Sequence, residues 1–160
     1  MTRPPNVGTL TIGSAGELLV QYKLLKLGID SARLTTDSGI DLAMYVPGTR
    51  EAITVQVKAT WGTSVDKASG RPWLVFPAFP ADWKAQYLAT VDLSRDAAWL
   101  FPIPRAEQVG RLNKAGTEFL LWWYMDGRRG SVIGIDEDYE QDRLEVVAAG
   151  LLPSEPEPLP

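Results

Sequence analysis

The chain has no cysteine and no histidine in 160 residues. Disulfides, thiolate zinc sites, Ser-His-Asp triads and Cys-His dyads are therefore excluded. Any chemistry must use carboxylates, amides, lysine or hydroxyls, and such hard oxygen donors suit magnesium or manganese better than zinc. No apolar run approaches the ~20 residues that a membrane helix needs. Met1-Thr2-Arg3-Pro4-Pro5 lacks the hydrophobic stretch of a signal peptide, so the expected location is cytoplasmic.

An overall excess of basic charge is also missing, since the formal net charge is −4. The deficit is local. Residues 136–160 carry eight acids (Asp136, Glu137, Asp138, Glu140, Asp142, Glu145, Glu155, Glu157) against Arg143, which leaves the first 135 residues at +3. A mildly basic body with an acidic tail is compatible with a phosphate-binding surface, though it is not the signature of a dedicated nucleic-acid binder.

What is present is core material: 45% hydrophobic residues and six tryptophans. That is enough for one domain, expected over residues 1–152, with 153–160 a loose Pro/Glu-rich tail. Ser14 to Gly28 reads as a helix, with Leu18, Tyr22, Leu25 and Ile29 as its apolar stripe, Ser14-Ala15-Gly16-Glu17 as a capping box and Gly28 as its stop. Strands are expected at 31–35, 40–46, 52–60 and 73–76, and a short helix at 80–88. A strand pair follows at 87–93 and 97–103, then a helical turn at 104–110. Segments 118–125 and 131–135 read as a hairpin around Asp126-Gly127-Arg128-Arg129-Gly130. Leu144 to Leu152 fits either a helix or a strand.

Alternation sets Asp41 on the face opposite Ile40, Leu42, Met44 and Val46, and puts Gln56 and Lys58 together on one face of the next strand. Each residue also has an ordinary structural use: Glu17 as a capping residue, Asp41 as an edge-strand acid, and Gln56 and Lys58 as a solvated face. Asp37, in a loop, is an alternative to Asp41. Lys23 and Lys26 read as a solvated helix face. In Trp122-Trp123-Tyr124, one side belongs to a core or a homodimer contact, with base stacking the lesser use.

Taken in order, Glu17, Asp41 and the Gln56-Val57-Lys58 triplet of a Val-Gln-Val-Lys strand resemble the PD-(D/E)XK nuclease superfamily. The Gln-x-Lys triplet is similar to that of small bacterial group I intron homing endonucleases and, more distantly, to archaeal Holliday-junction resolvases. The motif resemblance covers about residues 13–60 and continues to residue 104 by element order alone. It departs from the family pattern at Ile40, where the family name has proline, and at Gln56, which replaces a carboxylate.

The resemblance implies an α/β (α+β) restriction-endonuclease-like core: a central mixed sheet flanked by helices, in helix-strand-strand-strand-helix-strand order. It implies a Mg2+- or Mn2+-dependent DNA endonuclease. Asp41, the Gln56 amide oxygen and the Val57 carbonyl would be metal ligands, with Glu17 completing the shell and Lys58 orienting water or stabilising the phosphorane oxygens. Thr60, Lys67, Arg71, Arg128 and Arg129 would contact phosphates. Cutting both strands of a duplex calls for a homodimer or higher homo-oligomer. The alternatives are a catalytically weak or inactive module of the same fold that binds nucleic acid or a protein, and an unrelated α+β interaction protein.

Overall fold

The computed structural model describes residues 2–36, 38–131 and 133–154. Asp37 and residues 155–160 of the expected tail lie outside the described residues. Helix α1 (Thr9–Lys26) precedes β1 (Asp30–Arg33), β2 (Leu42–Tyr45) and β3 (Ile53–Thr60). Then come β4 (Ser64–Val65), β5 (Pro72–Val75), β6 (Phe79–Pro80), β7 (Tyr87–Asp92) and β8 (Ala97–Pro102). Helix α2 (Ile103–Val109), β9 (Arg111–Leu112), β10 (Glu118–Leu120), β11 (Trp122–Tyr124), a 3₁₀ segment (Asp136–Asp142) and α3 (Leu144–Ala149) complete the order.

A five-stranded mixed sheet runs β1-β2-β3-β7-β8, and its only parallel pairing is β3 with β7. Alternation along β3 divides the molecule into two cores. Val55 and Ala59 join Ile12, Val20 and Leu24 of α1 and Leu144 and Ala148 of α3 on one face. On the other face Leu88, Trp99 and Phe101 pack against Leu74, Phe79, Ala106, Trp123 and Tyr139. Two small sheets, β6-β10-β9 and β11-β5-β4, belong to this second, aromatic layer. Trp123 is fully buried at its centre, so the Trp122–Tyr124 run serves the core. No helix among the described residues is long and apolar enough to cross a membrane.

Helix α1 differs from the expected one in start and in face. It begins at Thr9 behind Gly8, with no side-chain cap, so Ser14 is internal and Ser14–Glu17 is not a capping box. Of the expected stripe, Ile29 beyond the helix is buried, but Leu18, Tyr22 and Leu25 point outward at 54%, 59% and 57% exposed, while Ile12, Gly16, Val20 and Leu24 face the sheet. Gly16 explains the inversion. A Cβ there would sit 2.5 Å from the Ala59 Cβ, so the inward face needs a residue that carries no apolar side chain.

Residues 80–88 are not helical. Gln86 bonds Thr54 through its backbone and its side chain, with both the Gln86 N–H to Thr54 O and the Thr54 N–H to Gln86 Oε1 contacts in place (3.0 and 2.9 Å), which starts the parallel ladder of β7 along β3. Segment 118–125 divides at Leu121 into strands of two different sheets. The 126–130 turn does not close a hairpin. Arg71, from the β4–β5 loop, holds Asp126 and the Arg128 carbonyl, and β11 meets the following chain through the Tyr124–Ile135 bridge rather than a strand. Val132, within the strand expected at 131–135, lies outside the described residues.

Candidate active site

Strands β2 and β3 pair from Met44–Ile53 to Leu42–Val55, and Asp41 stands one step beyond the last pair. Its backbone N–H still donates to the Val55 carbonyl at 2.9 Å. The next β3 donor, the Val57 N–H, is taken by the Asp41 carboxylate instead, Oδ2 lying 2.6 Å away. The chain turns away here through Gly39, whose φ of +75° suits glycine. A side-chain oxygen thus replaces a missing ladder partner. Such a charge-assisted bond contributes on the order of 1.5–3 kcal/mol.

In an extended strand the N–H and C=O of one residue point to the same edge. The Val57 carbonyl therefore points into the gap that Asp41 occupies. Gln56 and Lys58 project from the sheet face away from α1, where Gln56 is opposite Leu88 and Lys58 opposite Thr90 in the β3–β7 register. Asp41, Gln56, Val57 and Lys58 are consequently gathered at one strand junction.

Gln56 is only 6% exposed, yet its amide makes no hydrogen bond among the described residues. An amide without a protein partner is free to meet a ligand or water. Gln56 lines a cleft of about 290 Å³ together with Ser38, Gly39, Pro80, Asp82 and Lys84. Lys58 is half-buried and forms no hydrogen bond or ion pair among the described residues.

Glu17 is placed differently. It lies on α1, which packs on the opposite face of the sheet, and it pairs with Arg33 of β1 at 2.6 Å. Arg33 is opposite Leu42, and the Leu34 N–H donates to the Asp41 carbonyl at 2.8 Å, so the Glu17–Arg33 pair borders the Asp41 strand end from the helix side.

Of the five residues expected to contact phosphates, Thr60 ends β3 and lines a separate cleft of about 650 Å³ with Arg3, Thr9, Trp61, Thr63 and Ser94. The other four gather at one end of the β4-β5-β11 sheet. Lys67 is exposed in the β4–β5 turn. Arg71 forks onto Asp126 (2.9 and 2.7 Å), bonds the Arg128 carbonyl and stacks on Tyr124 at 3.4 Å. Arg128 also meets Asp126, and Arg129 meets Asp138, yet both arginines stay largely exposed. The Arg71 hydrogen bond holds the Asp126 carboxyl well below the usual carboxylate range.

Arg33, Asp82 and Lys84 were not singled out by sequence reasoning. Arg33 lies in a strand whose residues are mostly exposed, and Asp82 and Lys84 lie in the run taken for a helix. The only signal for Asp82 and Lys84 was a pair of charges beside Pro80.

No group of three or more Asp, Glu, His or Cys among the described residues is placed to hold a metal ion. The donor set at the junction is mixed instead: one carboxylate, one amide oxygen and one backbone carbonyl. These are hard donors, and magnesium binds through one or two carboxylates while keeping waters and substrate phosphate as ligands. The Gln56 amide, without a hydrogen bond among the described residues, and the Asp41 carboxylate at the Val57 N–H are donors of the kind such a cation takes.

The mixed sheet with α1 on one face has a restriction-endonuclease-like fold. Among solved structures, the bacterial homing endonuclease I-Ssp6803I is similar over 90% of this chain and 91% of its own, with a TM-score of 0.55 and 17% identity. The Holliday junction resolvase Hjc of Archaeoglobus fulgidus matches over 68% of this chain and 82% of its own, with a TM-score of 0.46 and 18% identity. The sequence matches no family model and no curated protein. At such identities the likeness establishes the fold, and function has to be argued from the site.

Proposed function

We propose that the chain is a metal-dependent endonuclease hydrolysing DNA phosphodiester bonds at the Asp41–Gln56–Val57–Lys58 junction. The observation that carries this reading is the 2.6 Å bond from the Val57 N–H to the Asp41 carboxylate, which fixes an acid beside the Gln-x-Lys triplet. Asp41, the Gln56 amide oxygen and the Val57 carbonyl would hold the Mg2+ or Mn2+ ion. When bound, that ion supplies Lewis-acid stabilisation of the phosphoryl oxygens.

The chain's own groups do the rest. The Val57 N–H orients the Asp41 carboxylate, so no reorganisation is needed when a substrate phosphate arrives. Lys58, in no ion pair among the described residues, would offer its ammonium to the attacking water or to a phosphate oxygen. Glu17, tied to Arg33, would complete the metal's shell from an outer position. Thr60, Lys67, Arg71, Arg128 and Arg129 would position the backbone, Arg71 chiefly by holding the loop that carries the two exposed arginines. Cutting both strands requires a homodimer or higher symmetric assembly, one site per strand.

Nicking of supercoiled plasmid and of branched DNA with Mg2+ or Mn2+ tests the reading. Wild type should nick, and Asp41→Ala and Lys58→Ala should not. Inert wild type, or unchanged nicking by either variant, rejects it.

A second reading, a catalytically weak or inactive module of this fold that binds nucleic acid or a protein, is favoured by Gln56 in place of a carboxylate. Titration calorimetry with Mn2+ separates the two: binding abolished in Asp41→Asn counts against the inactive module.

A further inference from the structure

Away from the junction, two buried hydrogen-bond donors have no acceptor. Arg111 Nη2 and Trp122 Nε1 are enclosed and unpartnered among the described residues. Both residues line one small, partly open cavity of about 20 Å³, with Leu120, Gly134 and Tyr139 among its walls. We propose that this cavity is a binding site for a single halide-sized anion, with chloride as its ordinary occupant.

The chemistry of the lining selects the guest. Arg111 brings a full positive charge, and its guanidinium lies 5.1 Å from the Trp122 ring centroid. It forms no ion pair among the described residues, whereas Arg71, Arg95, Arg105 and Arg143 each meet a carboxylate. The Tyr139 hydroxyl, which also lines the cavity, has no hydrogen bond among the described residues and can donate to an anion, while two nearby carbonyls each already accept one bond. The Ile133 carbonyl takes the Gly130 N–H and the Gly134 carbonyl takes the Tyr124 N–H, each at 3.0 Å. Asp138, whose Oδ2 comes within 3.0 Å of where a Gly134 Cβ would stand, is bound by Arg129 and by the Ile135 N–H.

Two donors and one unmatched charge suit an anion better than water. A water molecule would accept both bonds but bring two protons of its own and leave the charge unmatched. Size narrows the choice further. A cavity of about 20 Å³ has room for one monatomic guest, which excludes phosphate, sulfate and carboxylates. A bound halide would join β9, β11 and the 3₁₀ segment through one centre, independently of any nuclease activity.

The test compares thermal unfolding at constant ionic strength as sodium gluconate is replaced by sodium chloride or bromide. Wild-type Tm should rise saturably, by about 5–10 °C when halide is a hundredfold above its dissociation constant. Arg111→Met should lose the halide response while retaining the general response to salt. Trp122→Phe, which keeps the ring and removes one donor, serves if Arg111→Met does not fold, and it should need several-fold more halide. A crystal soaked in bromide should show an anomalous peak within hydrogen-bonding distance of Arg111 Nη2 and Trp122 Nε1. Equal Tm in gluconate and chloride, an equal halide response in wild type and the variants, or a cavity without anomalous signal overturns the proposal.

Discussion

Two regions of the molecule, the aromatic layer and the β2–β3 junction, handle charge in opposite ways. In the aromatic layer, acids are matched to arginines at close range: Asp126 to Arg71 and Arg128, Asp136 to Arg95, Asp142 to Arg105. Trp123 adds an indole N–H to Asp136 at 2.9 Å. At the β2–β3 junction, by contrast, Lys58 has no ion pair among the described residues and Gln56 no hydrogen bond. Matched charges hold structure together; unmatched polar groups at a sheet gap are what a ligand with phosphate and cation would complete.

Substitutions in the two regions should therefore separate stability from activity. The largest effect is expected in the aromatic layer. Trp123→Ala removes a fully buried indole and should cost about 3–5 kcal/mol in denaturant unfolding. Lys58→Ala should do the reverse, with nicking falling on the order of 10²-fold while unfolding free energy moves by no more than about 0.5 kcal/mol. Equal losses of stability from both variants would erase the contrast.

Gln56→Glu sharpens the comparison at the junction. An added carboxylate should tighten Mn2+ binding by roughly tenfold in calorimetry, because cation affinity follows ligand charge. Unchanged affinity would place Gln56 outside the coordination sphere.

Acid provides a graded test of the matched side. The Arg71 bond lowers Asp126 below its ordinary value of 3.8. At Asp136 burial pushes the pKa upward, but the Arg95 hydrogen bond and charge bring it net below that value. A carboxyl whose folded pKa is depressed contributes stability that is fully present above its unfolded pKa and is lost as pH falls through its folded pKa. Unfolding free energy should hold from neutrality to about pH 4 and fall below that, and Arg71→Met should flatten the fall. The smallest effects belong to Arg128→Ala and Arg129→Ala. Each should change stability by no more than about 0.5 kcal/mol and, if it touches phosphate, lower the salt slope of DNA binding by about one.

The sheet strands and the position of Asp41 beside the triplet were legible because strand alternation is a two-residue signal that survives packing. Leu42, Met44 and Val46 are buried as their pattern requires. The inward face of α1 was not legible, because a glycine at the closest helix–strand approach carries no apolar mark while Leu18, Tyr22 and Leu25 do. The run at 80–88 has a helical composition, but its Gln86 contacts with Thr54 are made to a residue 32 positions away, and tertiary pairing overrides local preference. The ties of the arginines were hidden for the same reason. Arg71 meets Asp126 across 55 positions, and Glu17 meets Arg33 only because β1 lies beside α1.

The most direct test of the junction is a crystal structure with manganese soaked in. An anomalous peak within coordinating distance of the Asp41 carboxylate and the Val57 carbonyl, with the Gln56 amide oxygen turned toward it, is the expected result. No peak at the junction under saturating manganese, or a peak bound elsewhere with Asp41 and Gln56 uninvolved, would contradict the account.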